Sequence, residues 1–86
     1  MTRAGDAVLS LLNARRAGAT ICPSEAARAL ATPGGDWRAA MPAVHQAVDR
    51  LVAEGAVRLS WKGEALPSRA GPYRIGHRLE GRDDGR

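Results

Sequence analysis

Three stretches of helical periodicity followed by an alternation of period two that turns at Lys62-Gly63 predict a mainly α domain with a small β-hairpin. That order is the order of a winged helix, a three-helix core with a two- or three-stranded antiparallel wing. At 86 residues the chain makes one domain, because a second would be too small to close its own core. Without phenylalanine, and with two tryptophans and one tyrosine, the core must come from Leu, Val, Ile and Ala.

The first helix is expected from about Arg3 to Ala17, with Ala4, Val8, Leu11 and Leu12 on one face. Thr2 is its expected N-cap, Asp6 suits the positive end of the dipole, and Gly18 is the expected stop. Ala19, Thr20 and Ile21 are too few for a full strand and are expected to add a short third strand to the later hairpin. Cys22-Pro23-Ser24-Glu25 announces the second helix. Pro23 fits the first helical position, where its missing N–H costs nothing, and the Glu25 carboxylate at the third reaches back to the cap backbone. Ala26, Ala27 and Leu30 form its narrow apolar stripe, which ends before Thr32-Pro33-Gly34-Gly35.

Asp36 caps the third pattern, in which Trp37, Met41, Val44, Val48 and Leu51 share a side and Gly55 is the stop. Pro42 cannot donate to the carbonyl of Arg38, so a kink or a separate first turn is expected, leaving Pro42 to Glu54 as the regular helix. In the following strand Val57, Leu59 and Trp61 alternate with Arg58, Ser60 and Lys62. The return strand is placed at Pro72 to Gly76, with Tyr73 and Ile75 inward, Arg74 outward and Glu64 to Gly71 as the wing loop. The domain is expected to occupy residues 1–76, with 77–86 as a disordered, charge-rich tail.

Once these segments are assembled, the chain resembles an uncharacterised family of small bacterial proteins, a domain of unknown function with a winged-helix-like fold. The residues carrying the resemblance are Ile21-Cys22-Pro23-Ser24-Glu25, Trp37-Arg38, Met41-Pro42, Val44, Gly55, Lys62-Gly63 and Gly71-Pro72-Tyr73-Arg74-Ile75. The resemblance implies the fold and brings no catalytic residues or ligand. It departs at His45, where a basic residue is expected.

The formal net charge of +4 favours polyanionic partners, although twelve of the thirteen basic residues are arginines, which a GC-rich coding sequence also produces. The expected partner is double-stranded DNA, bound without catalysis in a regulatory role. Gln46 and Arg50 lie on the outward side of the third helix with Arg38 at one flank, and all three could reach phosphates or base edges, since Arg suits guanine and Gln suits adenine. Asp49 on the same side would repel phosphate. Arg58, Lys62 and Arg74 on the strands, with Arg69 on the loop, are expected to form one cationic ridge. The alternative is a protein-interaction module, or self-association, through the alanine-rich outer face of the third helix. Trp37 and Trp61 are expected as core anchors.

No nucleophile–base constellation and no phosphate-cradling glycine loop occurs, so neither enzyme activity nor a cofactor is expected. His45 and His77 have no neighbours of metal-ligand type, and no metal site is expected. Cys22 at a helix start suits an activated thiolate, yet the chain has no second cysteine to resolve an oxidised form. The absence of a long apolar run or leader predicts a soluble cytoplasmic protein with no membrane partner.

Overall fold

The computed structural model describes residues 3–16, 18–31 and 34–77. Helix α1 spans Arg3–Asn13, strand β1 Thr20–Ile21, helix α2 Pro23–Leu30 and helix α3 Met41–Ala53. The C-terminal part contributes strands β2 (Val57–Trp61), β3 (Glu64–Leu66) and β4 (Arg74–His77). The four strands form one antiparallel sheet in the order β1-β4-β2-β3. The sheet is therefore larger than the two- or three-stranded ribbon expected from the alternation.

Each helix end has a local cause. Cys22, in extended conformation, is the N-cap of α2, Pro23 opens the helix, and Glu25 Oε2 accepts the Cys22 N–H at 2.9 Å. Pro42 splits the third pattern as its missing donor requires: Trp37–Ala40 form a separate 3₁₀ turn, capped by Asp36 Oδ1 accepting the Arg38 N–H at 3.0 Å. At the other end of α3, the Ala56 N–H donates to Leu51 O and the Gly55 N–H to Val52 O, a Schellman closure with Gly55 at φ +76°.

Helix α1 stops at Asn13, four residues before the end that its composition suggests, and Gly18 (φ +87°) turns the connection instead of capping the helix. The reason is tertiary. The Asn13 side-chain oxygen meets His77 Nε2 at 2.9 Å, and Arg15 pairs with Glu25 at the start of α2, so Asn13 and Arg15 are drawn to two other elements. The expected Thr2 cap lies outside the described residues.

Lys62 (φ 52°) and Gly63 (φ 83°) both sit at positive φ, the signature of a two-residue type I′ hairpin turn. Such a turn returns the chain at once, pairing Trp61 with Glu64 and Leu59 with Leu66. Glu64 to Leu66, expected as loop, is therefore strand β3, and the true connection is the shorter stretch from Pro67 to Tyr73. Strand β4 reaches His77, paired with Val57, one residue past the expected end of the return strand. Residues 78–86 lie outside the described ones, as does the expectation of disorder placed on them.

The core lies between the helices and one face of the sheet. Ile21, Ile75, Leu59 and Leu66 stand opposite one another across all four strands, a single apolar row on which Val44, Val48 and Leu51 of α3 and Val8 and Leu12 of α1 close. Ala26 and Ala27, both fully buried, present little side-chain bulk where α2 meets its neighbours. Among the described residues no helix is long and apolar enough to cross a membrane.

Candidate nucleic-acid interface

Because Val44, Ala47, Val48 and Leu51 are drawn into the core, the opposite side of α3 is left to solvent. Pro42, Ala43, Gln46, Asp49, Arg50 and Ala53 are all exposed, and Arg38 is exposed on the preceding 3₁₀ turn. Gln46 and Arg50, four residues apart and so on the same side of the helix, have no hydrogen-bond or ion-pair partner among the described residues.

The seven predicted site residues fall into distinct surroundings. Lys62 stands exposed at the hairpin tip. The tip lies beside the start of α3, since Trp61 shares a groove wall with Trp37 and Met41. Arg58 is exposed on the sheet face opposite the helices, because Val57 and Leu59 on either side of it are buried inward. Arg69 makes a two-pronged ion pair with Asp49, Nε to Oδ1 at 2.8 Å and Nη2 to Oδ2 at 3.0 Å, which fastens the β3–β4 connection to α3. Arg74 turns onto β1 and the start of α2. Its Nε donates to Thr20 Oγ1 at 2.7 Å, Nη2 to the Thr20 carbonyl at 3.1 Å and Nη1 to Cys22 Sγ at 3.3 Å.

The expected ridge of Arg58, Lys62, Arg69 and Arg74 is thus divided. Two of its guanidinium groups hold the fold together, one faces away from the helices, and Lys62 alone joins the α3 side. The same ion pair answers the expectation about Asp49, whose negative charge is matched by Arg69, whose hydrogen bonds hold the Asp49 carboxyl below its usual range.

Beside this surface lies an open apolar groove that the sequence reading missed. Its walls come from the start of α2 (Cys22, Pro23, Ser24), from Trp37, Met41 and His45, from Trp61, and from Gly71, Pro72 and Tyr73. Its volume is about 320 Å³. Eight of these ten residues belong to the segments that carry the family resemblance, the exceptions being His45 and Trp61. Of the two expected anchors, Trp37 packs against the core while partly buried, whereas Trp61, at 37 %, is the most exposed large apolar side chain among the described residues. Alternation places Trp61 on the face of β2 that Val57 and Leu59 share, where it lines the groove near Trp37 and Met41 and stays open to solvent. The available signal was its position immediately before the turn.

Little polar surface faces the groove. The Tyr73 hydroxyl and His45 Nδ1 meet at 2.7 Å, and the Cys22 sulfur accepts from Arg74. Burial lowers the His45 pKa, helped by the Arg69 charge, and burial pushes the Tyr73 phenol up to about 12, so both groups are neutral near pH 7. At the groove edge the guanidinium groups of Arg28 and Arg38 lie 4.4 and 4.6 Å from the Trp37 ring centre. Neither has a carboxylate partner among the described residues.

An exposed helix side, a cationic hairpin tip and an adjoining apolar groove belong to a small basic domain built from three helices and a four-stranded sheet. The chain belongs to the family described as "Protein of unknown function (DUF3253)", whose sequence pattern covers residues 2–78. No curated protein matches it.

Proposed function

We propose that this protein is a winged-helix domain that binds double-stranded DNA without catalysis, α3 entering the major groove and the β2–β3 hairpin acting as the wing. The topology supports the fold reading: β1 falls between α1 and α2, joins the sheet at its edge beside β4, and is followed by α3 and a hairpin. The observation that carries the functional reading is the free pair on α3. Gln46 and Arg50 are exposed and unpartnered, with Arg38 at the helix start and Lys62 on the adjacent tip. Arg and Gln are the side chains whose donors match guanine and adenine edges, and Lys and Arg neutralise phosphate. Fastening of the β3–β4 connection by Arg69 and Asp49 holds the hairpin base against α3, so the two DNA-facing elements keep a fixed relationship.

The test is fluorescence anisotropy of a labelled random-sequence duplex at low salt with the full chain. Saturable binding that weakens as salt rises supports the reading, and absence of binding removes it.

A second reading, a protein-interaction module or self-association, is favoured by the exposed alanines of the same surface, Ala39, Ala43 and Ala53, which allow close approach of another helix. Sedimentation of the chain alone separates self-association from a monomer that waits for another partner.

A further inference from the structure

We propose that the groove between the start of α2, the Trp37–Met41 segment and the hairpin is a docking site for an extended peptide of a protein partner, one that carries an apolar residue and a proline flanked by acidic residues. This site adjoins the exposed side of α3 and shares Arg38 with it, but the proposal does not rest on duplex binding.

Three features of the groove specify that occupant. Its surface is apolar and aromatic, with Trp61, Pro72 and Met41 offering rings and a thioether to an inserted side chain and Trp37, covered by two guanidinium groups, completing the wall. It is also open to solvent, so a small molecule would remain half exposed, whereas a longer chain can cover it and continue beyond it. Hydrogen bonding is scarce, because little polar surface faces the groove, the Tyr73 hydroxyl meets His45 Nδ1 and the Cys22 sulfur accepts from Arg74. A segment with free N–H groups would lose water there without replacement. Proline has no N–H and holds an extended backbone in advance, which is why aromatic grooves suit proline-containing segments.

Charge sets the flanking residues. Arg28 and Arg38 rest on Trp37 at the groove edge and have no carboxylate partner among the described residues, and Arg74 stands behind Cys22, its guanidinium bonded to Cys22 and Thr20. Among the described residues no carboxylate lines the groove. The nearest acids are committed elsewhere: Asp36 caps the Arg38 N–H, and Glu25 holds Arg15 and the Cys22 N–H. Acidic side chains on either side of an apolar anchor would meet guanidinium groups already ordered by stacking, which lowers the entropy lost on pairing.

The two tryptophans of the chain both line the groove, so intrinsic fluorescence reports its occupancy directly. The full-length protein is titrated with blocked tetrapeptides Asp-X-Pro-Glu, where X is Leu, Ile, Met or Phe. Parallel titrations use the neutral Asn-X-Pro-Gln set, the anchorless Asp-Gly-Pro-Glu, and 3-phenylpropionate. At least one acidic, apolar peptide should shift the emission saturably, with its neutral counterpart about fivefold weaker. The Arg28→Ala/Arg38→Ala variant, altered only at exposed positions and checked by circular dichroism, should lose a similar factor. Trp61→Ala should abolish binding while leaving the melting profile cooperative. The proposal is overturned if no peptide gives a saturable shift up to about 1 mM, a very weak affinity. Equal binding of neutral and acidic peptides also overturns it, as does 3-phenylpropionate binding as tightly as the best peptide, which would make the groove a small-carboxylate site.

Discussion

Arg69 grips Asp49 through two parallel hydrogen bonds, 2.8 and 3.0 Å long, across twenty residues of sequence. The pair joins the β3–β4 connection to the solvent side of α3 and so determines where the hairpin base rests. An exposed pair of this kind contributes little to stability and much to geometry.

Asp49→Ala should therefore lower unfolding stability by about 1 kcal/mol or less, since the pair is half exposed and screened by water. Its larger effect should be local: amides of the Pro67–Tyr73 connection should exchange faster while those of α1 remain protected. The Asp49 pKa is depressed in the folded state, so its contribution is complete above the unfolded carboxylate range and is lost as pH falls through the lower folded value. Urea unfolding of Asp49→Ala should accordingly show a shallower loss of stability in that acid window than the parent does. An identical acid profile for the two would separate this pair from acid sensitivity.

The single tyrosine gives an isolated optical signal. Tyr73 is buried, and its phenol is raised from 10.0 to about 12, so tyrosinate absorbance should appear well above the range of a free tyrosine. A raised folded value means that the stabilising contribution is complete below about pH 10 and is lost as pH rises toward 12. Spectrophotometric titration measures the first statement, and the pH dependence of the urea midpoint the second. A phenol that titrates near 10 in the folded protein would place Tyr73 in water.

Core and turn substitutions should separate cleanly. Leu51→Ala removes a side chain that is 1 % exposed beneath the sheet and should cost about 2–5 kcal/mol. Arg58→Ala, on the outer face of β2, should change stability by about 0.5 kcal/mol or less. At the hairpin tip Lys62 holds φ 52°, a region that a long side chain occupies at some cost, so Lys62→Asn should stabilise the protein by about 0.5 kcal/mol. Chemical unfolding of the three variants tests the order; a Leu51→Ala loss under about 1 kcal/mol would place that residue at the surface.

Periodicity located the three helices and strands β2 and β4 because burial on one face leaves a repeating mark. Cys22-Pro23-Ser24-Glu25 and Gly55 located helix ends because capping chemistry is local. The end of α1 was not legible, since nothing in Ala14-Arg15-Arg16 breaks a helix and the partners that stop it, His77 and Glu25, are distant in sequence. Strand β3 escaped because three residues are too few to show a period; its evidence was the turn itself, whose type I′ geometry leaves no room for a loop. The roles of Arg69 and Arg74 were hidden for a related reason. Alternation gives the face from which a side chain leaves, but a long guanidinium chooses its partner in space. The groove was concealed because tryptophan and methionine at helical or strand spacing read as core.

The interface on α3 makes a quantitative claim about salt. If three of the free cations near it, Arg38, Arg50 and Lys62, contact phosphate, log affinity for duplex DNA should fall against log salt with a slope near roughly −2.7, at about −0.9 per contact. Arg50→Glu and Lys62→Glu should flatten that slope. Arg16→Glu and Arg58→Glu make the same change in net charge, but Arg16 lies on the α1–β1 connection and Arg58 on the sheet face away from the helices. They should leave the slope close to that of the parent. Gln46→Ala should act differently again: a side chain that reads a base edge alters preference between duplex sequences and leaves the salt slope unchanged. If all four charge reversals flattened the slope equally, net charge would account for binding and α3 would have no special place in it.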